Sequence, residues 1–425
     1  MQEATLEQEI IAVVRTLPHD RQREVLDFAV TQQKLLGFNP NQLHLFEEGS
    51  DAGGGLLSFA KAEFKFFIRQ ISAHYPLSLK LIAQKPGVWD WAEISGNPDV
   101  PLTVEAVEKY SDRWDWRKLC ANPRLPWTVE VMQKFSSKWD WVGFSRNTGL
   151  EWSVKFIQKY GDRWDWMSLS ANPSLPWSPE LIAQFEHKLD FVELTENPSL
   201  PWSDEFIEKY EDRWNWNRLS NNPKLNWTVE FIDKHSAKWN WQNLSRNTGL
   251  PWNEDFIENH KDLLHWGRLS ANPALPWSEE LVERHKDRWN WGSFGLSRNR
   301  TLPWSEAFIK EYADKWDWKD LSMNPGLPWS LDFIQQYAAK WTWDYMGLSS
   351  NTGLPWSLDL IRMFLPKWHW GEYGLSSNPA LPWSTDLLQR YHGKWHWIAL
   401  QNNIAVWEKA FAPRLFDEMV QIIIE

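Results

Sequence analysis

Three histidines recur at a spacing of 25 residues, at His235, His260 and His285, where other copies of the same pattern carry Tyr or Phe. Imidazole is the commonest side-chain ligand of metal ions and also titrates near neutral pH. A metal ion needs its nitrogen ligands about 2 Å away, whereas stacked helical units lie about 10 Å apart. The three histidines therefore cannot share one ion, and we expect no metal site. A pH-sensitive or ligand-facing patch is the functional interpretation that stays open.

Three insertions contain a second group of residues whose side chains could bind a ligand or partner. The segments WGSFGLSRN (291–299), WDYMGLSSN (343–351) and WGEYGLSSN (370–378) are each two residues longer than their counterparts and place an aromatic residue near a glycine. The aromatic residues are Phe294, Tyr345 and Tyr373. Insertions in repeat proteins often map to the binding face, so these three residues and the three histidines are the candidate binding residues. A local change of superhelical curvature explains the insertions equally well.

Other catalytic and metal-binding chemistry finds no support in the sequence. The chain contains one cysteine, Cys120, which excludes an intramolecular disulfide and a cysteine-rich metal site. Cys120 stands where most copies of the pattern carry Ser, which favours a packed thiol over a nucleophile. The chain has no phosphate-binding glycine loop, G-x-S-x-G or H-E-x-x-H motif. We therefore expect a protein that is not an enzyme and that uses neither a cofactor nor a metal.

Charge and hydropathy narrow the classes of partner. The formal net charge of -11 argues against a nucleic-acid partner, because nucleic-acid binding needs a basic surface. No apolar run reaches the about 18 residues of a membrane-spanning helix, and the segment MQEATLEQEII lacks the features of a signal peptide. These features predict a cytoplasmic protein without a membrane partner.

A tryptophan repeat determines the elements that position these residues. The chain has 35 tryptophans, and most belong to a unit close to W-D-W-x-x-L-S-x-N-P-x-L-P-W-S-x-E-x-I-x-K-Y-x-D-K. The second residue of the Trp-x-Trp pair recurs at positions 91, 116, 141, 166, 191, 216, 241, 266, 291, 318, 343, 370 and 397, and position 191 is Phe. A fixed period of this length is typical of a solenoid.

The local sequence of one unit predicts two helices and a connector. Ser178 is placed to cap a helix that begins at Pro179, and apolar residues then recur at helical spacing. Asp115 is placed to start a second, short helix, which the Asn-Pro dipeptide must end because proline disfavours helical angles before it. The prediction is an all-α solenoid (superhelix) of about 12–13 units of 25–27 residues. Each unit combines a longer α-helix of about three turns, a short α- or 3₁₀-helix and an extended link.

Three columns of the repeat have structural interpretations. An asparagine follows the short helix in every unit, and each unit is counted as ending at this residue. The column predicts a buried ladder that satisfies backbone groups at the end of the short helix. A basic residue ends most longer helices, from Arg113 to Lys394. This column fits helix-end charges stacked on neighbouring tryptophans better than a cationic stripe for an anionic polymer. At least two of the three tryptophan columns should be buried, and the Trp of Pro-Trp is the one expected to be half-exposed. The asparagines are Asn97, Asn122, Asn147, Asn172, Asn197, Asn222, Asn247, Asn272, Asn299, Asn324, Asn351, Asn378 and Asn403.

Composition divides the chain into five parts. Residues 1–38 are predicted to form a pair of helices, and residues 39–55 a flexible linker with three consecutive glycines. Residues 56–88 are expected to form an N-terminal helical cap with a degenerate repeat, residues 89–403 the solenoid, and residues 404–425 a C-terminal capping helix. Caps are needed because a terminal repeat would otherwise expose its core face.

The segment NPSLPWSPELIAQF (172–185) resembles the leucine-rich variant (LRV) repeat, which carries N-P-x-L-P before a helix. The resemblance covers residues 76–403 and implies alternating α- and 3₁₀-helices in a right-handed superhelix, although the tryptophan columns depart from that family. The iron–sulfur cluster found beside such repeats in one lineage is not implied here, because only Cys120 is available. Similar Trp-rich units occur in uncharacterised bacterial and giant-virus proteins. The segment LPHDRQREVLDFAVTQQKLLG (17–37) is similar to a small bacterial domain that has been compared with antitoxins.

These observations predict a bacterial, non-enzymatic repeat scaffold that mediates protein–protein interaction with a protein or peptide partner. Two alternatives stay open. One is carbohydrate or extended-polymer binding through exposed tryptophan rows, and the other is toxin–antitoxin-like regulation through the N-terminal helices. The same helices are a candidate surface for homo-oligomerisation.

Overall fold

Repeated pairs of helices make up the part of the chain that the structure describes. A computed structural model describes residues 56–425, so the expectations for residues 1–38 and 39–55 lie outside the described residues. The described chain begins with α1 (Leu56–Ala62) and α2 (Phe64–His74), and all its elements are helical. The longer helices of the units are Leu79–Gln84, Val104–Lys109, Val129–Lys134, Val154–Lys159, Pro179–Phe185, Asp204–Lys209, Val229–Lys234, Glu254–His260, Glu279–Arg284, Glu306–Glu311, Leu331–Gln336, Leu358–Met363 and Thr385–Arg390.

Short helices alternate with these longer ones. The short α-helices are Trp91–Gly96, Trp116–Ala121, Trp141–Ser145, Trp166–Ala171, Phe191–Glu196, Trp216–Leu219, Trp241–Leu244, Trp266–Leu269, Trp318–Met323 and Trp397–Asn402. The 3₁₀-helices are Leu296–Arg298, Leu348–Ser350, Leu375–Ser377 and His392–Lys394. The chain ends with the α-helix Ile404–Val406, the π-helical turn Trp407–Phe411, the 3₁₀-helix Ala412–Arg414 and the α-helix Asp417–Ile424. The predicted all-α solenoid of long and short helices is confirmed.

The longer helices begin at a side-chain cap. Ser178 Oγ accepts a hydrogen bond from the N–H of Leu181 at 3.2 Å, and Pro179 occupies the first helical position. These helices contain six or seven residues, so the expected length of three turns was wrong. Tight turns follow in which an N–H bonds three residues back, as Lys188 does to the Phe185 carbonyl at 2.8 Å. The predicted cap is confirmed.

The short helices begin at an acidic or amide cap and end at the asparagine in most units. Asp115 Oδ1 accepts hydrogen bonds from the N–H groups of Arg117 and Lys118 at 3.0 and 3.1 Å. Asn122 has extended backbone angles, with ψ at 118°, because Pro123 follows it. Both predicted boundaries of the short helix are therefore confirmed.

The three units with insertions replace the short α-helix by a loop and a 3₁₀-helix. In the unit at 343–351, the N–H of Leu348 reaches the carbonyl of Thr342 at 2.8 Å across the loop. A Cβ on Gly347 would lie 2.0 Å from that carbonyl oxygen, so only glycine fits there. The loop leaves Tyr345 exposed, and the chain rejoins the repeat at Asn351.

The two ends of the described chain meet. Most short helices of neighbouring units pack directly on one another, and α2 packs on the first of them, Trp91–Gly96. α2 also packs on the last short helix, Trp397–Asn402, while α1 contacts the helix Asp417–Ile424. Residues 56–88 and 404–425 thus cap the array by covering each other, and the stack of units is cyclic.

Aromatic rings fill the seam between the two ends. Phe67 packs edge-on against Phe411 with ring centroids 5.0 Å apart, and Phe66 packs in the same way against Trp397 at 5.2 Å. Phe67 and Phe411 are fully buried. Buried aromatic rings of this size contribute strongly to apolar stabilisation. The contacts that close the array therefore belong to the hydrophobic core.

Candidate binding face

The tryptophans hold neighbouring units together. The first ring of each Trp-x-Trp pair is buried, as at Trp114 and Trp139, and the second ring and the Pro-Trp ring are half-buried in most units. Trp116 packs edge-on against Trp139 of the next unit with centroids 5.0 Å apart, and Trp127 lies 5.4 Å from Trp139. The expectation of at least two buried columns was wrong, because only the first column is buried throughout, whereas the half-exposed Pro-Trp ring was predicted correctly.

Basic side chains cover the second tryptophan column. Lys340 Nζ lies 4.4 Å from the ring centroid of Trp318, and Lys138 Nζ lies 5.2 Å from that of Trp116. Ten basic residues stack on tryptophan in this way, and Arg213 stacks on Phe191, which takes the place of tryptophan in its unit. The ten are Arg113, Lys138, Arg163, Lys188, Lys238, Arg288, Lys315, Lys340, Lys367 and Lys394. The structural interpretation of the basic column is confirmed, and the same contacts cover this row against stacking by a carbohydrate.

The thirteen asparagines form a continuous ladder between units. Each of their side chains is at most 6% exposed. Asn122 Nδ2 donates to the carbonyl groups of Ser95 and Asn97 in the preceding unit, both at 3.1 Å. Asn122 Oδ1 accepts from the N–H of Arg124 at 2.9 Å. The amide thus joins two units and satisfies buried backbone groups where the short helix ends, so this column is structural.

A serine two residues before the asparagine adds a second link in most units. Ser95 Oγ donates to the carbonyl of Trp91 at 2.6 Å and accepts from the N–H of Asp115 in the next unit at 3.0 Å. Cys120 takes this place in one unit and is fully buried, and burial raises the pKa of its thiol to about 12. A thiol with this pKa is not ionised near neutral pH, so Cys120 is a packing residue and not a nucleophile.

The three histidines are packing residues as well. His235 and His260 are buried, His285 is half-buried, and each stacks on the second-column tryptophan of the preceding unit with centroids 4.8 to 5.3 Å apart. Burial lowers the pKa of His235 and His285, although Glu211 and Glu258 act in the opposite direction. The ligand-facing interpretation does not hold for the two buried rings, because a buried ring cannot reach a ligand. The pH-sensitive interpretation stays a prediction.

The most exposed apolar side chains lie at equivalent places in their units, on a surface that we call the short-helix face. This face comprises the residues between the second aromatic residue of each Trp-x-Trp pair and the asparagine that ends the unit. The four most exposed large apolar side chains of residues 56–425 all lie there: Tyr373 (65%), Ile398 (64%), Phe294 (63%) and Met167 (55%). Val142, Val192 and Tyr345 belong to the same face and are also exposed. Exposed apolar side chains at equivalent places of a repeat point to an interaction surface.

Phe294 is held in its exposed position at an energetic cost. Its φ of 59° lies in the left-handed region, which costs an L-residue roughly 1–2 kcal/mol. Its N–H donates to Asp320 Oδ2 at 2.8 Å, and the buried Asp320 also forms an ion pair with Arg298. The Arg298 guanidinium lies 4.4 Å from the centroid of the Phe294 ring. A strained backbone that presents an apolar ring to solvent is typical of a functional position.

The two exposed tyrosines of the insertions form a pair. The ring centroids of Tyr345 and Tyr373 lie 6.3 Å apart, and that of His369 lies 5.7 Å from Tyr345. The three rings therefore form one aromatic patch across two neighbouring units. Such a patch offers apolar area together with hydroxyl groups, which suits contact with a protein side chain.

An apolar stripe crosses three successive units elsewhere on the face. Its members are Val142, Met167 and Val192, each directly after the second aromatic residue of its pair. A depression of about 200 Å³ lies beside it and is lined by Arg146, Met167, Ser168, Ala171 and Glu193, among others. Sites for whole small molecules usually enclose about 300–1,000 Å³, so this depression suits one side chain of a partner.

The structure brings together only part of the predicted site. Phe294, Tyr345 and Tyr373 share one face, as their common insertion predicted, whereas the histidines lie in the packing between units. Sequence reasoning missed the exposed Val142, Met167, Val192 and Ile398. Their signal is the position after the second aromatic residue, which is small or polar in the other units.

Comparisons with known proteins give no further guide to this face. No protein-family model, curated protein or solved structure matches the chain. Between residues 56 and 425, no helix combines the length and apolarity needed to cross a membrane. Across the same residues, no three His, Cys, Asp or Glu side chains are grouped to hold a metal ion.

Proposed function

We propose that this chain is a non-enzymatic scaffold that holds a protein or peptide partner on its short-helix face. The observation that carries the proposal is the placement of the four most exposed large apolar side chains on this one face. The strained backbone at Phe294 adds support, because the fold keeps an unfavourable conformation there without enclosing the ring.

The surrounding architecture suits binding by a pre-formed surface. Asparagine side chains tie each unit to its neighbour, and the seam ties the first unit to the last, so the exposed side chains sit on a connected frame. A surface that needs little reordering loses less conformational entropy when a partner binds. Carbohydrate stacking along tryptophan rows has less support, because basic side chains cover the second row. The regulatory alternative rests on residues 1–38, outside the described residues.

Peptide selection tests the proposal directly. A random peptide display library is panned against the chain, and the selected peptides are titrated against Phe294→Gly, Met167→Ser and Tyr373→Ser. We expect each substitution to weaken some of the selected peptides by about tenfold or more, as loss of an anchor side chain does. Phe294→Gly is the sharpest variant, because glycine relieves the positive φ while it removes the ring.

Leu263→Ser is the matched control, because Leu263 is 51% exposed but follows a longer helix and lies off the short-helix face. This variant should bind the selected peptides like the unchanged chain. A library that yields no binder would refute the proposal. Binders that respond to Leu263→Ser as strongly as to the three face variants would refute it as well.

A further inference from the structure

Four successive segments of the short-helix face each carry an arginine and no acidic residue, as do the two segments 116–122 and 141–147 elsewhere on the face. The segments 216–222, 241–247, 266–272 and 291–299 lie in four successive units and contain Arg218, Arg246, Arg268 and Arg298, but neither Asp nor Glu. We call these four segments the basic sector. The chain as a whole has a formal net charge of -11, so the sector is opposite in sign to the net charge of the molecule.

The two arginines at the borders of the sector are engaged by carboxylates. Arg218 lies 3.2 Å from Glu196 in the preceding unit, and Arg298 lies 2.9 Å from the buried Asp320 in the following unit. These pairs close the sector on both sides and compensate the charge of its outermost members.

The two inner arginines have no carboxylate within ion-pair distance among residues 56–425, and both are exposed. Arg246 Nε donates to Asn221 Oδ1 at 2.9 Å, which orients the guanidinium without neutralising it. Arg268 lies in the unit directly before the one that carries Phe294. Two uncompensated guanidinium groups therefore lie within two units of the strained, exposed aromatic ring.

We propose that the basic sector binds an acidic peptide segment that also carries a large apolar residue. This inference rests on the proposed function and names the chemistry of the partner. The carboxylates would pair with Arg246 and Arg268, since guanidinium groups bind carboxylates in a bidentate geometry. The apolar residue would pack on Phe294, whose ring is 63% exposed.

A peptide fits this surface better than a nucleic acid does. The basic sector spans four units, whereas the chain as a whole has a formal net charge of -11. A nucleic acid carries a negative charge at every phosphate and would be repelled beyond the sector. A short acidic segment can place its charges inside the sector and its apolar residue at the edge.

Fluorescence anisotropy with labelled synthetic peptides tests the inference. The probes are a Glu- and Leu-containing peptide, its counterpart with Gln in place of Glu, its counterpart with Lys, and a single-stranded oligothymidine. We expect the acidic peptide to bind most tightly and its affinity to fall as salt is raised. The double variant Arg246→Glu/Arg268→Glu should weaken the acidic peptide by about tenfold or more and favour the Lys peptide.

Lys155→Glu is the charge control, because it makes the charge change of either single substitution at an exposed site on a longer helix. It should leave the affinity of the acidic peptide within about twofold of the unchanged chain. Equal binding of the Gln and Glu peptides, with no response to the double variant, would overturn this inference. The proposed scaffold function would still stand if selected peptides lose affinity in the Phe294 or Met167 variants. Tighter binding of oligothymidine would also overturn it. If the peptide display selection yields no binder at all, the proposed scaffold function is refuted as well.

Discussion

The side-chain amide of Gln70 donates a hydrogen bond to the backbone carbonyl of Gln401 at 3.0 Å, across 331 residues of sequence. Gln401 stands two residues before Asn403, as Ser95 stands two residues before Asn97. The contact therefore repeats the bond from Asn122 to the Ser95 carbonyl. α2 supplies a glutamine amide where the other units supply asparagine, and the ladder runs from the last unit into the first.

Closure of the array gives the first prediction. Phe67→Ala should lower the melting temperature, because removal of a buried Phe ring costs about 3–5 kcal/mol, and it should also loosen the seam with Phe411. Phe308→Ala removes an equally buried ring in the middle of the array and serves as the control. Small-angle X-ray scattering should show a larger radius of gyration for Phe67→Ala alone. An equal radius for the two variants would contradict closure through this seam.

The asparagine ladder gives the second prediction. Asn122→Ala leaves the buried carbonyl groups of Ser95 and Asn97 without their donor, and each unsatisfied buried group costs about 1–3 kcal/mol. Thermal unfolding followed by circular dichroism should show a clearly lower melting temperature. Asn402→Ala, at an exposed position, should melt like the unchanged chain. A melting temperature unaffected by Asn122→Ala would refute the ladder, and binding of the selected peptides should be unchanged in both variants.

Cys120 gives the third prediction. The N–H of Asp140 faces its sulfur, where other units place a serine oxygen, and sulfur is the weaker acceptor. Cys120→Ser should therefore raise the melting temperature slightly, by the equivalent of about 1 kcal/mol. The reciprocal variant Ser145→Cys should lower it by a similar amount, because Ser145 Oγ accepts from the N–H of Asp165 at 3.0 Å. A loss of stability in Cys120→Ser would show that the site is shaped for the thiol.

Local structure was predictable because its causes lie within a few residues. Ser178 caps a helix through an N–H only three residues away, and the ladder residue Asn122 lies next to the proline that ends its helix. The period of the tryptophans then repeats these local solutions along the chain. Fold class, helix starts and the structural role of the asparagines follow from such short-range chemistry.

Closure and the binding face were not predictable in the same way. Closure depends on small rotations between neighbouring units, summed over the whole array. Gln70 lies outside any repeated column, so no local sequence pattern predicts its contact with Gln401. Met167 is an ordinary apolar residue in the sequence, and only the structure shows that nothing in residues 56–425 covers it fully. The spacing of the histidines is a property of the repeat and does not indicate whether their rings are exposed.

The buried histidines give the fourth prediction. Burial lowers the pKa of His235 and His285 below the ordinary value of 6.5 in the folded chain. Between the folded and the unfolded pKa, the unfolded state binds more protons, so stability rises with pH in this window. Their contribution is complete above pH 6.5 and is lost as the pH falls through the lower, folded pKa. The melting temperature should therefore drop by a few degrees when the pH is lowered from neutral to mildly acidic.

The double variant His235→Phe/His285→Phe should flatten this part of the pH profile, because Phe occupies the same column as Phe135 and Phe364 and cannot titrate. The opposing carboxylates, Glu211 and Glu258, remain in place in the variant, so only the imidazole groups are removed. His187→Gln, at an exposed position, should leave the profile unchanged. If the double variant loses stability between neutral and mildly acidic pH as steeply as the unchanged chain, the dependence arises from other groups and the histidines only fill space.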